Sequence, residues 1–298
     1  MKTMITSESI NQGIKACFGE SVTLVGKAYV GGGDINDACC LKLSNGESIF
    51  VKSNSVRNKG FFEAEEIGLS AIASTGTISV PELLFRGADE SSAFLAMEFV
   101  RGTESVPGFW RKFGECLAKM HLADTSELVS DGEFGFDKDN YIGATVQINS
   151  PRDSWISFFR ECRLEPQFKM AEHYFERSHI SHILKLLDKL PVLLIEPEQP
   201  SLLHGDLWSG NYIVGSDGMA WLIDPAVYVG HAEADLAMTE LFGRFPDEFY
   251  DSYREVNPIQ PGYEGRRDIY NLYHLLNHLN LFGGMYLHEV LRVVERYV

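Results

Sequence analysis

The sequence predicts an α+β protein with a small, antiparallel β-rich N-terminal lobe and a larger, mainly helical C-terminal lobe. Short apolar segments separated by Gly- and Asn-containing turns fill much of the first hundred residues, a pattern typical of strands joined as hairpins. After a stretch rich in Gly and Pro at 101–108, apolar residues recur with a helical spacing near 3.6. The length of 298 residues and the hydrophobic content of 45% allow sizeable cores. We therefore predict an N-terminal lobe over 1–101 and a C-terminal lobe over 102–298.

The first two predicted strands flank a glycine-rich loop. They cover Val22–Tyr29 and Ala38–Leu43, and residues 31–36 lie between them. Because glycine has no Cβ, the backbone N–H groups of such a loop can approach phosphate oxygens. The candidates for covering a nucleotide are Gly32, Gly33, Asp34, Ile35 and Asn36. The loop matches neither of the common phosphate-binding glycine motifs, so a plain hairpin turn is an equally good interpretation of these residues alone.

A lysine ends the next predicted strand, Ser48–Lys52. A lysine in this position can bind the α- and β-phosphates of a nucleotide. Helical spacing follows over Phe61–Ile72, and a glutamate on that helix could form an ion pair with Lys52 and orient it. Glu65 is the first choice and Glu66 the second. Taken separately, a solvated strand-end lysine and a solvated helix glutamate are the commoner roles.

The last strand of the N-terminal lobe is predicted over Ser92–Gly102. It would break at its final glycine, where the two lobes meet. Backbone groups of Glu98, Phe99 and Val100 would then be available to bind the adenine of a nucleotide. By itself, the segment has only the pattern of a core strand.

Three polar side chains in the C-terminal lobe have a spacing that favours phosphoryl transfer. Asp206 lies five positions before Asn211, and Asp224 follows the apolar segment Ala220–Ile223. In kinases with this spacing, the first aspartate orients the acceptor hydroxyl, and the asparagine and the second aspartate bind Mg²⁺. We predict Asp206 as the catalytic residue, Asn211 and Asp224 as metal ligands, and ATP and Mg²⁺ as cofactors. A polar surface turn is the alternative for the first pair taken alone.

Short apolar segments bracket this loop and are predicted as buried strands that hold it at both ends, Leu202–Leu203 and Ile213–Val214. Trp208 lies between the predicted base and the predicted metal ligand. Its ring could form one wall against which the apolar face of a sugar packs. Filling the space beneath the loop is the alternative role.

The rest of the C-terminal lobe is predicted to be mainly helical. Apolar spacing near 3.6 predicts helices over Pro107–His121, Ser154–Phe175, Ala232–Phe242 and Arg266–Phe282. The aromatic residues of these helices are most simply core residues, and lining an acceptor pocket is the alternative.

Composition argues against several function classes. The chain has 26 Lys and Arg against 42 Asp and Glu, a net charge of −16, which argues against nucleic-acid binding. No apolar run approaches the ~20 residues of a membrane span, and the first eight residues lack the apolar segment of a signal peptide. We therefore expect a cytoplasmic protein without a membrane partner. The spacing of the five cysteines and nine histidines predicts no zinc site.

Together these motifs resemble the fructosamine kinase (ketosamine 3-kinase) family, which is similar to the aminoglycoside and choline phosphotransferases of the protein-kinase-like superfamily. The resemblance covers nearly the whole chain and implies a two-lobed protein-kinase-like fold. Beyond the loop from His204 to Asn211, it rests on Gly33-Asp34-Ile35, Phe50-Val51-Lys52, Gln147-Ile148-Asn149, Trp155 with Phe158-Phe159 and Arg163-Leu164, Ile223-Asp224-Pro225-Ala226, the segment Gly230–Met238, and Leu275-Leu276-Asn277-His278.

The resemblance implies the site roles already assigned and adds Asp235 as a residue that braces the catalytic loop from beneath. Family members with a redox-active thiol carry a cysteine inside the glycine-rich loop. Here Cys39 and Cys40 lie a few residues later, so a redox role for either is left open. The expected state is a monomer or a weak homodimer.

The resemblance further implies an ATP-dependent small-molecule kinase that phosphorylates the sugar 3-hydroxyl of ketosamines. Its substrates would be ribulosamine or fructosamine adducts of lysine or protein, and its role would be deglycation repair. One alternative is a phosphotransferase for an aminoglycoside, choline or a sugar, and the segment Gly230–Met238 argues against it. The other alternative is a catalytically inactive nucleotide-binding protein, against which stands the presence of all the predicted catalytic and metal-binding residues.

Overall fold

A five-stranded antiparallel sheet forms the first part of the protein, whose computed structural model describes residues 8–31, 35–129 and 133–298. The strand order is β1-β2-β3-β5-β4, and all neighbours are antiparallel. The strands are β1 (Leu24–Val30), β2 (Asp37–Leu43), β3 (Ser48–Ser55), β4 (Leu83–Ala88) and β5 (Ser92–Glu98). Two helices accompany them, α1 (Glu8–Phe18) and α2 (Lys59–Ser74). The prediction of a small antiparallel N-terminal lobe is confirmed.

The two faces of this sheet contribute to two separate hydrophobic clusters. Side chains of a strand alternate between the faces, so β5 directs Phe94 and Ala96 into the cluster that includes residues of α1. Its other face presents Leu95 and Met97 to the cluster that includes residues of α2. Both faces of β5 are therefore covered, which explains why its sequence is an almost continuous apolar run.

The two cysteines of the return strand, Cys39 and Cys40, are buried within β2. Burial raises the pKa of the Cys39 thiol, and the nearby Lys27 opposes this rise only in part. A raised pKa keeps a thiol protonated and disfavours the thiolate that reacts with oxidants.

The remainder of the chain is mainly helical, as predicted. Its helices are α3 (Phe109–His121), α4 (Trp155–Phe158), α5 (Glu165–Met170), α6 (Arg177–Leu193), α7 (Glu233–Leu241), α8 (Asp247–Val256), α9 (Tyr263–Phe282) and α10 (Leu287–Arg296). Short antiparallel strands pair as β6 (Asn140–Ile142) with β7 (Thr145–Gln147), β8 (Ser201–Leu203) with β11 (Tyr228–Gly230), and β9 (Tyr212–Val214) with β10 (Ala220–Leu222). In the described ranges, none of the helices combines the length and the apolar character needed to cross a membrane.

The predicted helix at 154–175 is divided. Between α4 and α5 lies a π-helical segment, Phe159–Leu164, and α5 ends at Met170. The π segment carries Arg163 into the core, where its guanidinium lies 3.9 Å from the ring centre of Tyr228. A wider turn of six residues hardly changes an apolar spacing measured over the whole segment, so the sequence pattern did not reveal it.

Two boundaries differ from the sequence prediction at places that matter for the site. Strand β5 ends at Glu98 instead of continuing to Gly102, and the chain runs on without regular structure to α3. Helix α9 begins at Tyr263, one turn earlier than predicted. The predicted buried strand at 213–214 is present in β9, but its side chains are only half-buried.

Helix α2 connects the sheet to the helical part of the protein. Gly68 faces Pro225 and Val227, and a Cβ at this glycine would lie 3.2 Å from Pro225 Cγ. The ring of Phe61 packs edge-on against Tyr141, with 4.5 Å between the ring centres. This close approach brings the polar residues of α2 next to the segment that carries Asp224.

Candidate active site

The loop between β8 and β9 folds tightly because of its glycine. Gly205 has a φ of 81°, which favours glycine, and a Cβ there would collide with the carbonyl oxygen of Ala226. The backbone N–H of Ala226 donates to the His204 carbonyl at 2.8 Å. The glycine of the His-Gly-Asp motif thus allows the loop to lie directly against the chain that follows Asp224.

Asp235 of α7 holds the loop from below. Its carboxylate accepts hydrogen bonds from the backbone N–H groups of His204 at 2.7 Å and Gly205 at 2.9 Å. The buried ring of His121 donates to the same carboxylate at 3.2 Å. Burial alone would raise the pKa of Asp235, but the hydrogen bond and charge of His121 and the other donors outweigh it and hold this pKa below its usual value. The buried carboxylate therefore remains ionised beneath the loop.

Asp206 and Asn211 are joined within the loop. The side-chain amide of Asn211 donates to the Asp206 carbonyl at 2.8 Å and to Oδ2 of the Asp206 carboxylate at 3.1 Å. Because both bonds use the amide nitrogen, the amide oxygen of Asn211 is turned away from Asp206 and can bind a cation. The two residues therefore keep a fixed relative position.

The environment of Asp206 is suited to accepting a proton near neutral pH. Burial raises the pKa of this carboxyl to about 7, the hydrogen bond from Asn211 lowers it, and the negative charge of Asp235 raises it. The side chain keeps 23% of its surface exposed, so water and substrate can reach it. A general base works best when its pKa lies near the working pH.

His274 of α9 lies beside Asp206, a contact that the sequence analysis did not predict. Its Nδ1 is 3.9 Å from Asp206 Oδ1 and, within the described part of the chain, has no hydrogen-bond partner. Burial lowers the pKa of His274 to about 3, and the neighbouring His278 adds to this effect. The ring is therefore neutral at pH 7. No local pattern could have predicted this contact, since the two residues are far apart in the sequence.

Lys52 joins the sheet to the metal-binding candidates. Its ammonium donates hydrogen bonds to the carboxylates of Glu65 and Asp224. Glu66, the second candidate for this ion pair, points elsewhere and accepts from Arg86 Nε at 2.7 Å. The geometry thus selects Glu65 as the partner of the buried Lys52.

Asp224 has a strained backbone and an accessible side chain. Its φ of 54° lies in the left-handed region, which costs a non-glycine residue about 1–2 kcal/mol. Its side chain is 48% exposed. The backbone N–H of the preceding Ile223 donates to the Asn211 carbonyl at 3.1 Å, so the Asp224 carboxylate and the Asn211 amide belong to neighbouring parts of one site.

The donor set fits Mg²⁺. Asp224 offers carboxylate oxygens, and Asn211 offers an amide oxygen that its hydrogen bonds to Asp206 leave facing outward. Magnesium prefers oxygen ligands, and it is usually held by one or two carboxylates together with water and substrate phosphates. The strain at Asp224 agrees with a position that is set by function.

Of the five residues predicted to cover a nucleotide, Ile35 and Asn36 belong to the described residues. Gly32, Gly33 and Asp34 lie outside the described residues. The side chain of Asn54 in β3 donates to the Ile35 carbonyl at 2.9 Å and to Asn36 Oδ1 at 2.8 Å. These bonds tie the end of the glycine-rich loop to the strand that carries Lys52.

The predicted adenine contacts lie where the sheet ends. The N–H of Glu98 donates to the Glu82 carbonyl at 2.8 Å and is therefore not available to a nucleotide. Phe99 and Val100 follow the end of β5 and are half-buried. Backbone recognition of adenine would then fall to the carbonyl of Glu98 and the groups of these two residues.

Trp208 lies on the outer side of the loop. Its half-buried indole lies over Gly210 and meets the ring of Phe242 edge-on, with 6.2 Å between the ring centres. The ring is neither enclosed in the core nor fully in solvent. It can offer a face to a ligand that approaches Asp206.

Comparisons with known proteins agree with this arrangement. The sequence model of the fructosamine kinase family matches residues 6–298. A protein-ribulosamine 3-kinase of Oryza sativa (indica) is 40% identical over 288 residues, which are 94% of this chain and 81% of that protein. A Synechocystis protein assigned as a ketoamine kinase is 38% identical over 290 residues, covering 97% of this chain and 96% of its own.

Solved structures agree as well. A Thermobifida fusca protein assigned as a fructosamine-3-kinase superposes with a TM-score of 0.83 at 33% identity, covering 96% of this chain and 97% of that one. An aminoglycoside phosphotransferase in complex with AMP-PNP and hygromycin B has a TM-score of 0.61 at 16% identity, covering 97% of this chain and 96% of that one. The latter supports the kinase-like fold alone. The match of the family model over nearly the full length, together with these relatives, establishes that the chain belongs to the fructosamine kinase family.

Proposed function

We propose that this protein is an ATP-dependent kinase that transfers a phosphoryl group to the 3-hydroxyl of a ketosamine, in a deglycation repair role. The observation that carries the proposal is the meeting of Asp206, Asn211 and Asp224 with the Lys52–Glu65 ion pair in a member of the fructosamine kinase family. The names of the relatives point to ribulosamine and other ketoamine acceptors.

The chemistry follows from the position of Asp206. The acceptor hydroxyl donates a hydrogen bond to the Asp206 carboxylate, and its oxygen attacks the γ-phosphorus of ATP. The bond between that phosphorus and the β–γ bridging oxygen breaks as the new P–O bond forms, and ADP leaves with that oxygen. The hydroxyl proton passes to Asp206. The hydrogen bonds from Asn211 keep the carboxylate in place during this step.

The negative charge of the transferred phosphoryl group would be balanced by Mg²⁺ and by Lys52. Asn211 and Asp224 would hold Mg²⁺, which supplies positive charge to the phosphate oxygens when it is bound. Lys52, oriented by Glu65, would bind the α- and β-phosphates. Its contact with Asp224 places this ammonium directly beside the metal-binding candidates.

We further propose that the lobe boundary lies after residue 101. Strand β5 has ended before this point, and the N–H of Thr103 already bonds to the Val214 carbonyl at 2.9 Å, in the helical lobe. Five free cysteines are compatible with a reducing compartment, which supports the proposed cytoplasmic location. A monomer or a weak homodimer is the proposed state.

The raised pKa of Asp206 predicts a pH profile. The base must be ionised, so kcat/KM for the ketosamine should be constant above about pH 7 and should fall tenfold per pH unit below the pKa of about 7. Initial rates from pH 5.5 to 9 at fixed free Mg²⁺ measure this. A profile that stays flat down to pH 5.5 would contradict the role of Asp206 as base.

Trp208 is proposed as one wall of the sugar site. Trp208→Leu should raise the KM for the ketosamine or lower kcat/KM, while ATP affinity and thermal stability stay nearly unchanged, since the indole is only half-buried. Trp221→Leu, at a half-buried tryptophan on β10, is the matched control. A Trp208 variant that melts much earlier, with a loss of a few kcal/mol, yet handles ketosamine normally would assign the ring to packing.

An acceptor screen tests the proposed function itself. ADP release is measured with ribuloselysine, psicoselysine, erythruloselysine and fructoselysine, and with hygromycin B, choline and free sugars as competing classes. The proposal requires ADP release that depends on a ketosamine. Release stimulated only by one of the other classes would favour the alternative phosphotransferase, and no acceptor-dependent release at all would favour an inactive nucleotide-binding protein.

A further inference from the structure

A continuous row of aromatic rings leads away from the catalytic loop. Trp208 meets Phe242 at 6.2 Å between ring centres, and Phe242 meets His278 at 4.8 Å. His278 in turn contacts Phe282 at 5.4 Å and Tyr286 at 5.1 Å. These five residues are called the aromatic shelf. They come from the catalytic loop, the end of α7, the last turns of α9 and the segment before α10.

The shelf begins near Asp206, the proposed catalytic base. His274, whose Nδ1 lies 3.9 Å from Asp206 Oδ1, is one turn before His278 on α9, and the Nδ1 of His278 donates to the His274 carbonyl at 2.8 Å. Trp208 is two residues from Asp206 along the chain. The shelf therefore has one member in the same loop as the carboxylate that would receive the acceptor proton, and another one helical turn from the histidine that lies beside this carboxylate.

The far end of the shelf reaches solvent. Phe282 is 50% exposed, and the neighbouring Met285 is 76% exposed. The Phe282 and Tyr286 rings approach each other, with 6.4 Å between their centres. Single exposed apolar residues are common, but here the exposed Phe282 continues through half-buried rings to the catalytic loop, and such continuity favours a binding surface.

The shelf can accept a positively charged group. Burial lowers the pKa of His278 as it does that of His274, so both imidazoles are neutral at pH 7 and do not repel a cation. The faces of aromatic rings attract ammonium groups. The net charge of −16 adds to this attraction over longer distances.

We propose that the aromatic shelf is the subsite for the amine side of the ketosamine, where the protonated amine and alkyl chain of a sugar-modified lysine in an exposed polypeptide segment lie against the rings. This inference rests on the proposed function. In a ketosamine, four covalent bonds of about 1.5 Å each separate the 3-oxygen from the amine nitrogen, which places the nitrogen within about 6 Å of the attacking oxygen. When the 3-hydroxyl lies at Asp206, the amine therefore stays close to the catalytic loop, and the shelf offers the lysine chain an apolar path from there to solvent.

Two acceptors with the same sugar test this proposal. One is the ribulose adduct of methylamine, which has the protonated amine but no alkyl chain that could extend toward Phe282 and Tyr286. The other is the ribulose adduct of the lysine side chain in a short blocked peptide. In Phe282→Ser and Tyr286→Ser, kcat/KM for the peptide adduct should fall by about tenfold, whereas kcat/KM for the methylamine adduct should change by less than about twofold, because only the peptide adduct has an apolar chain that can pack against these rings. Leu184→Ser, at an exposed leucine of α6, is the matched control and should change neither value.

The possible outcomes test the shelf proposal separately from the proposed kinase function. Equal losses on both adducts, or no loss on the peptide adduct, would overturn the shelf as an amine-side subsite and leave the kinase activity standing. Phe282→Leu and Tyr286→Leu keep an apolar side chain and should show a smaller loss, again on the peptide adduct alone. These variants also guard against a folding defect in the serine variants. Wild-type protein that phosphorylates neither adduct would overturn the proposed function and the shelf with it.

Discussion

Asp206→Asn should lower turnover on the ketosamine by about 10²–10⁴-fold, the usual contribution of a positioned general base, while ATP affinity stays nearly unchanged. The asparagine side chain has the same shape but cannot take the hydroxyl proton at neutral pH. The bond from Asn211 to the backbone carbonyl at position 206 does not involve the replaced group, so the loop should keep its conformation. Binding and chemistry should therefore separate cleanly.

Single-turnover phosphorylation and nucleotide titration measure the two effects in the same preparation. Asp251→Asn, at an exposed aspartate of α8, is the matched control and should retain wild-type values. Near wild-type turnover in Asp206→Asn would mean that another group accepts the proton. A large loss of ATP affinity would mean that Asp206 has a role in binding the nucleotide.

Asp224→Ala should leave no measurable turnover, even at high Mg²⁺. The substitution removes the carboxylate proposed to bind the metal and also the second partner of Lys52. Phosphoryl transfer depends on cations that neutralise the transferring group, so both losses act on the same step. In the wild type, EDTA should abolish activity and Mg²⁺ should restore it.

Asp247→Ala, at an exposed aspartate at the start of α8, controls for the loss of a carboxylate elsewhere. Thermal melting of Asp224→Ala without nucleotide distinguishes a catalytic defect from unfolding. The substitution should not stabilise the protein by relieving backbone strain at position 224, because alanine at a φ of 54° is strained as well. Substantial activity in this variant would mean that the second metal-binding aspartate lies elsewhere in the protein.

The fold was predictable where the sequence pattern is local. Strands β2, β3 and β5 and helices α3 and α7 lie within a few residues of their predicted bounds, since their apolar periods are regular. Helices α1, α6, α8 and α10 were not predicted; each buries only two to four residues, so few apolar positions mark its period. The π-helical segment was missed because its geometry depends on where Arg163 packs.

The site residues likewise fall into those that the sequence predicted and those that only the tertiary structure identified. The spacing of Asp206, Asn211 and Asp224 is local, so the sequence alone placed them in one site. The choice between Glu65 and Glu66 needed the tertiary structure, because the rotation of α2 about its axis decides which of the two side chains faces Lys52. The packing of Gly68 against Pro225 fixes how this helix lies. The contact between His274 and Asp206 joins residues from distant segments, and so does the aromatic shelf. No local sequence pattern could have predicted either.

The central claim is that this protein phosphorylates one particular hydroxyl of a ketosamine. NMR of the product formed from ribuloselysine and ATP tests it most directly, because coupling between phosphorus and the sugar carbons identifies the modified oxygen. The account predicts a single phosphate ester on the 3-oxygen, formed in equal amount to ADP and formed about 10²–10⁴-fold more slowly when Asp206→Asn replaces the wild type. A phosphate on another oxygen, or ADP formed without any phosphorylated ketosamine, would contradict it.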